Sequence, residues 1–188
     1  MKGIAGIVLA AGASRRLGEP KQRTLVGGEP LLQRAVRVAS EAGLNPIYVV
    51  VATQGEEEFW LGMLDDCIVL LNTEAAEGMA ASIRLGTAAA DEAGAPGVVV
   101  MACDQPAVSA EHLRKLIAPG VRIVASEYAG RRGVPAYFPA NAFPELMKLR
   151  GDTGARELLR DASSVELPGG ELDVDTIEEL DRARKLYS

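Results

Sequence analysis

The chain has little aromatic material. Of its 188 residues only 4% are aromatic: one Trp, four Tyr and three Phe. A core without bulky rings must be packed from Ala, Val, Leu and Ile, and at 48% hydrophobic residues there is enough to fill one. That composition suits short strands covered on both faces by helices. Cysteine is as scarce. Cys67 and Cys103 each lie in or beside an apolar run and read as buried, reduced thiols rather than as a disulfide framework. With a single histidine, His112, they do not make a four-ligand zinc set. No run of apolar residues is long enough to cross a membrane. Met1 to Ala11 lacks the length of a secretory leader, so a cytoplasmic location is expected. Positive charge is also in short supply, with 20 Lys and Arg against 26 Asp and Glu, a net charge of −6. Neither nucleic acid nor an anionic membrane is an expected partner for such a chain. Any local cluster of cations therefore carries information.

What the chain does have is rhythm. Gly6–Ala10 (GIVLA), Ile47–Ala52 (IYVVVA), Ile68–Leu71 (IVLL), Val98–Ala102 (VVVMA) and Val121–Ala125 (VRIVA) read as short strands, almost continuously apolar. Amphipathic segments separate them. Leu32, Ala35, Val36 and Ala39 follow helical spacing, with Gly43 as the stop. Glu56–Leu64 and Met79–Ala93 are further predicted helices, the second closing at Gly94-Ala95-Pro96. Strand then helix, repeated, predicts a mostly parallel sheet with helices on both faces. Beyond Gly130 the rhythm changes. Val134–Phe138 (VPAYF) predicts an antiparallel strand, followed by helices at Asn141–Leu149 and Gly154–Arg160 and a strand near Ser164–Leu167. A last helix opens at Ile177 with the capping-box pair Thr176 and Glu179. The expectation is one α/β domain over residues 1–188, three layers deep, with a small antiparallel portion.

Chemistry concentrates at strand ends. Leu9-Ala10-Ala11-Gly12-Ala13-Ser14-Arg15-Arg16-Leu17-Gly18-Glu19-Pro20-Lys21 follows the first strand, at the edge where open α/β sheets bind ligands. Gly12 and Gly18 permit unusual backbone geometry and close approach of N–H groups to a ligand. Arg15, Arg16, Lys21 and Arg23 place four cations within nine residues, the compensation a triphosphate requires. Neither G-x-x-x-x-G-K-[ST] nor G-x-G-x-x-G fits the spacing. A solvated basic turn is the bland alternative. The fourth predicted strand runs into Cys103-Asp104-Gln105-Pro106, so Asp104 offers a hard oxygen ligand for magnesium at the same edge; otherwise it merely starts a turn. Leu172-Asp173-Val174-Asp175-Thr176 supplies a second carboxylate. Alternation points Asp173 and Asp175 the same way, and both stay candidates beside a plain capping role. Asn72 and the stretch Glu77 to Gly86, with Gly78 and Ser82, would let a helix N-terminus press on a ligand, or form an Ala-rich core helix. Arg131, Arg132, Asp152 and Arg156 lie in glycine-flanked segments suited to phosphate contacts or to surface solvation.

Together these motifs resemble one family. L-A-A-G-x-S-x-R-x-G-x-x-K at residues 9–21 is similar to the signature of the molybdopterin nucleotidyltransferase-like (MobA-like NTP transferase) family, within the glycosyltransferase-A-type nucleotidyltransferases. E-G-x-x-x-S-x-R-x-G, G-R-R-G-x-P and G-D-x-G-A-R narrow the likeness to the molybdenum cofactor cytidylyltransferase (MocA-like) branch. The resemblance implies a Rossmann-like fold. It implies that Leu9, Ala10, Ala11, Gly12, Asn72, Gly78 and Ser82 hold the nucleotide, with Arg16 and Lys21 on its phosphates. Asp104 and Asp175 would hold Mg2+, and Lys21, Asp104 and Arg16 would be the catalytic set. Arg131, Arg132, Asp152 and Arg156 would face the acceptor. Ala11 implies CTP, since family members that use GTP typically carry L-A-G-G. The implied reaction moves CMP from CTP onto a phosphorylated acceptor, molybdopterin, and releases pyrophosphate; a molybdoenzyme or its chaperone is the implied transient protein contact. Val134 departs from the branch, which often has His there. GTP, methylerythritol phosphate or a sugar phosphate are the alternative substrates, the second echoed in Pro20-Lys21-Gln22. A non-catalytic nucleotide-binding protein is the alternative class.

Overall fold

A computed structural model describes residues 3–12, 16–52, 64, 66–152 and 154–187. The predicted helix Glu56–Leu64 falls outside the described residues except for Leu64, as do Ala13, Ser14 and Arg15 of the first loop and Thr153.

The apolar runs become strands. β1 (Ala5–Leu9) is buried along its whole length and lies at the centre of a seven-stranded sheet. Gly27 and Gly28 follow, both with positive φ, and make a two-residue turn between β2 (Leu25–Val26) and β3 (Glu29–Pro30). Pro30 leads into α1 (Leu31–Glu41), which buries Leu31, Leu32, Ala35, Val36, Val38 and Ala39 along one stripe. Next come β4 (Ile47–Ala52), β5 (Ile68–Asn72), α2 (Met79–Glu92) and β6 (Gly97–Ala102). The second half contains α3 (Ala110–Ile117), β7 (Val124–Tyr128), β8 (Arg131–Pro139), α4 (Phe143–Leu146), α5 (Arg156–Leu159), β9 (Ser163–Glu166) and α6 (Ile177–Leu186).

The sheet order is β5-β4-β1-β6-β8-β7-β9. β4 and β6 flank β1 in parallel, and β5 joins β4 in parallel. Only β8 runs against the rest, pairing antiparallel with both β6 and β7, as its sequence predicts. Alternate side chains of each central strand feed opposite layers. Val8, Val49, Val51, Val99 and Met101 pack with α1 and α3, while Ile7, Leu9, Tyr48, Val50, Val98 and Val100 pack with α2, α4 and α5. The architecture is therefore the expected three-layer α/β sandwich with a mostly parallel sheet. A third cluster, Leu17, Val26, Leu31, Leu172, Val174, Leu180 and Ala183, joins the hairpin to the C-terminal helix.

Three predicted elements need correction. The strand expected at Val121–Ala125 starts three residues later, because Gly120 takes a left-handed turn and Val121 is left 79% exposed. The helix expected over Asn141–Leu149 is a 3-10 turn followed by the single turn of α4, with Pro144 at its start. Gly154–Arg160 contracts to Arg156–Leu159, since Gly154 is left-handed. α3 was not foreseen, although Ser109 caps it by accepting from the His112 N–H at 3.2 Å. His112 is buried there. Ser126 Oγ donates its one proton to the Pro135 carbonyl at 2.6 Å, so the 2.7 Å contact to His112 must be a donation from Nε2–H. Burial pushes the imidazole down to about 4 and keeps it neutral.

Candidate active site

The carboxyl ends of β1, β4 and β6 open into a cleft of about 1100 Å³. Leu9, Ala10, Val51, Ala52 and Ala102 form its floor. Gly18 to Gln22 form one wall, and Asn72, Gly78, Ser82 and Asp152 the other. The L-A-A-G loop, Lys21 and Asp104, far apart along the chain, thus line one cavity.

At one end of it Lys21 and Asp104, which line the cleft, meet Asp175 and Arg16 just beyond its lining. Asp104 follows the buried β6 and is 8% exposed. Leu172 and Val174 are anchored in the third cluster, and the Val174 N–H donates to the Asp104 carbonyl at 3.0 Å. That bond brings Asp175 beside Asp104. Lys21 Nζ donates to Asp104 Oδ2 and, at 2.9 Å, to Asp175 Oδ1. Arg16 donates to Asp175 Oδ2 at 3.0 Å. Burial opposes the charge on Lys21, but Asp104 and then Asp175 outweigh it and raise the ammonium above its ordinary value. The capping box of α6 also fixes Asp175, whose N–H donates to Glu179 Oε2 at 3.0 Å.

The segment is not an extended strand, since the Asp175 N–H turns back to the Asp173 carbonyl at 3.1 Å, and the surroundings of the two acids differ. Asp175 carries the pairings to Lys21 and Arg16. Asp173 is half-buried; burial and then Asp104 push its carboxyl up to about 6, against the pull of Arg131. Among the described residues, no group of three or more His, Cys, Asp or Glu converges. Asp104 and Asp175 form a two-carboxylate set. Hard oxygens of this number fit a magnesium-class cation, which retains water and substrate phosphate in its shell.

The opposite wall is held by contacts the sequence reading did not foresee. Arg84 donates to both Glu77 oxygens at 2.7 and 2.6 Å and to the Leu149 carbonyl at 2.8 Å. Arg84 hydrogen bonds hold the Glu77 carboxyl down to about 2. Gly78, with φ 116, has no room for a side chain: a Cβ would lie 2.8 Å from the Gly151 carbonyl group. Met79 N–H reaches Asp152 Oδ1 at 3.4 Å, so Asp152 stands at the start of α2. Asn72 donates to Ser82 Oγ at 2.9 Å and accepts from the Glu74 N–H at 2.9 Å. Asn72 therefore aims Ser82. Gln22, also unforeseen, is buried and donates to the carbonyls of Ala10 and Gly12 at 2.5 and 3.2 Å. Of the two first-loop glycines, Gly18 is left-handed and Gly12 is not.

The four residues expected at the acceptor do not gather. Asp152 lines the cleft, whereas Arg131, Arg132 and Arg156 lie outside its lining. β8 runs antiparallel to β6, which brings its first residues, Arg131 and Arg132, to the same sheet edge as Asp104. There Arg131 lies over the Tyr128 ring at 5.4 Å and Arg132 donates to the Arg160 carbonyl. Arg156 is exposed.

Residues 6–167 match the MobA-like NTP transferase domain, and the matched segment contains the first loop, Lys21, Asp104 and Ser82. The chain belongs to the MobA-like NTP transferase family. It is a nucleotidyltransferase-family protein whose implied substrate is a nucleoside triphosphate. Purine catabolism protein PucB of Bacillus subtilis (strain 168) is 33% identical, with 98% of each chain covered. A probable molybdenum cofactor guanylyltransferase of Opitutus terrae is 34% identical over 74% of this chain and 68% of its own. Among solved structures, Rv0371c of Mycobacterium tuberculosis H37Rv superposes with a TM-score of 0.79 at 31% identity, covering 98% and 99% of the two chains. Rv0371c has also been solved in complex with manganese (TM-score 0.74, 28% identity, the same coverage). Among the described residues of the present chain, no helix is long and apolar enough to cross a membrane.

Proposed function

We propose that residues 1–188 form one nucleotidyltransferase domain that moves CMP from CTP onto a phosphorylated small-molecule acceptor of the molybdopterin type, with release of pyrophosphate. The observation that carries this reading is the convergence of Arg16, Lys21, Asp104 and Asp175 beside the L-A-A-G loop. Leu9 to Gly12, Asn72, Gly78 and Ser82 hold the nucleotide. A phosphate oxygen of the acceptor attacks the α-phosphorus in line; the new P–O bond forms as the bond to the pyrophosphate oxygen breaks, and pyrophosphate carries away the electron pair. Lys21 and Arg16 shift part of their charge from the two carboxylates to the phosphates, where negative charge accumulates. Asp104 and Asp175 would hold Mg2+, which would supply neutralisation of phosphate charge there. That assignment is supported by the two-carboxylate set and by the manganese complex of the related Rv0371c. No covalent intermediate is needed, because positioning and electrostatics suffice for this transfer. Arg131 and Arg132, on the far side of Asp104 from Ser82, are assigned to the acceptor, whereas Asp152 stands on the nucleotide wall beside Gly78 and Arg156 lies outside the cleft lining.

The cytosine preference rests on Ala11, in line with the L-A-A-G pattern of the MocA-like branch. Use of GTP is the second reading, favoured by the likeness to the Opitutus terrae protein named a guanylyltransferase. Thermal shifts with each of the four nucleoside triphosphates and magnesium separate the two, since a ligand at 100 times its Kd adds about 2.7 kcal/mol of stability. The largest shift is expected with CTP, and pyrophosphate release is expected only when acceptor is added. A larger shift with GTP overturns the base assignment. Tight triphosphate binding without release on any phosphorylated pterin overturns the reaction.

A further inference from the structure

The 3-10 turn Lys21–Arg23 carries two cleft residues with different tasks. Lys21 meets the acids. Gln22 meets the backbone of the loop that follows β1. The hydrogen bonds of that loop can be followed group by group. Leu9 O accepts from the Cys103 N–H and Ala10 N–H donates to Val50 O, which ends its membership of the sheet. The next two carbonyls on one side, those of Ala10 and Gly12, turn to a single partner, the Gln22 amide, whose two protons match them. Among the described residues, the N–H groups of Ala11 and Gly12 donate to no backbone carbonyl. A carbonyl oxygen aimed at a phosphate repels it, and an uncapped N–H attracts it.

We infer that Gln22 is a positioning residue for the triphosphate: its side-chain amide takes up the Ala10 and Gly12 carbonyls and leaves the loop presenting donors to the phosphates. The inference rests on the nucleotide reading above and adds to it a residue that need not touch the ligand. Neighbours of like shape cannot replace it. Glu at this position keeps the size but points acceptors at two acceptors; Met keeps the size and offers nothing.

The test compares Gln22→Glu and Gln22→Met with the parent chain, measuring equilibrium binding of CTP, GTP and the corresponding nucleosides with magnesium. Triphosphate affinity is expected to fall by about tenfold in the Met variant and further in the Glu variant. Nucleoside affinity should fall less, because a nucleoside meets the loop only through its base at Ala11 and lacks the phosphates. The Glu variant carries its own control. Protonation gives its carboxyl one donor, so its deficit relative to the parent should narrow as pH is lowered through the glutamate range. A loss of packing alone would not follow pH in this way. Parental triphosphate affinity in both variants overturns the inference, as does an equal loss for nucleosides and triphosphates. Should either variant fold poorly, the other still decides between these outcomes. If the parent chain binds no triphosphate at all, the nucleotide reading falls, and this inference with it; if only the variants fail to differ, the nucleotide reading survives alone.

Discussion

The cleft, proposed to hold the nucleotide, and the sheet edge beyond Asp104, proposed to meet the acceptor, are built by different means. On the nucleotide side, parallel strands β5, β4 and β1 end together, and backbone groups with short buried side chains make the surface. Asn72, Ser82 and Gln22 are all nearly inaccessible; Asn72 donates to Ser82, and Gln22 donates to the Ala10 and Gly12 carbonyls. On the side proposed for the acceptor, outside the cleft lining, β8 reverses direction, and the surface is made by long exposed arginines attached to a hairpin end. Buried amides and hydroxyls are costly to leave unpaired, so the nucleotide half is pinned by its own hydrogen bonds. Exposed arginines lose little by moving, which leaves the acceptor half adaptable. Such a division fits a family in which one nucleotide-binding scaffold is presented with different acceptors.

Four experiments test that contrast. The largest effect is expected at the seam, where Asp104→Ala should lower pyrophosphate release by about a thousandfold or more; near-parental turnover with magnesium would remove Asp104 from the mechanism. Next comes the buried support of the acceptor half. His112 is neutral in the folded chain down to about pH 4, while in the unfolded chain it protonates near 6.5. The unfolded state therefore binds more protons between those values. The stability His112 contributes is complete above about pH 6.5 and is lost as pH falls toward 4, on the order of 3 kcal/mol. Chemical denaturation across that range should reveal the slope, and His112→Gln should flatten it. A third effect belongs to the nucleotide wall. Gly78→Ala forces both an unfavourable φ and a collision with Gly151, and should lose about 2 kcal/mol of stability or more together with nucleotide affinity; an unchanged melting temperature would mean the wall can yield. The smallest is at the rim. Arg131→Ala should raise KM for the acceptor about tenfold and leave nucleotide binding intact. A matching loss of nucleotide affinity would erase the distinction between the halves.

Much of the nucleotide half was legible in the chain. The apolar runs named the central strands, and the basic loop after the first of them supplies Lys21 and Arg16, which the fold brings to Asp104 and Asp175. Gly43 and the Thr176–Glu179 pair marked helix ends that the fold uses. Errors gathered where local signals were weak. Val121 looked like the start of a strand because its neighbours are β-branched, but no pairing partner reaches it. The helix that Ser109 caps was missed, because periodicity alone did not separate it from its surroundings. Gln22 was unreadable as a site residue, since its importance lies in two carbonyls ten and twelve residues away, and backbone acceptors leave no mark on residue identity.

What the sequence determined by itself is the set of local choices: where strands start, which loop is basic, and which carboxylates end buried segments. These follow from side-chain chemistry within a few residues. Which carboxylate of the Asp173–Asp175 segment meets Lys21 was decided only by the tertiary structure. There Leu172 and Val174 bury themselves against the hairpin, more than 140 residues earlier, and the Val174 N–H finds the Asp104 carbonyl, seventy residues earlier, which sets the reach of each acid.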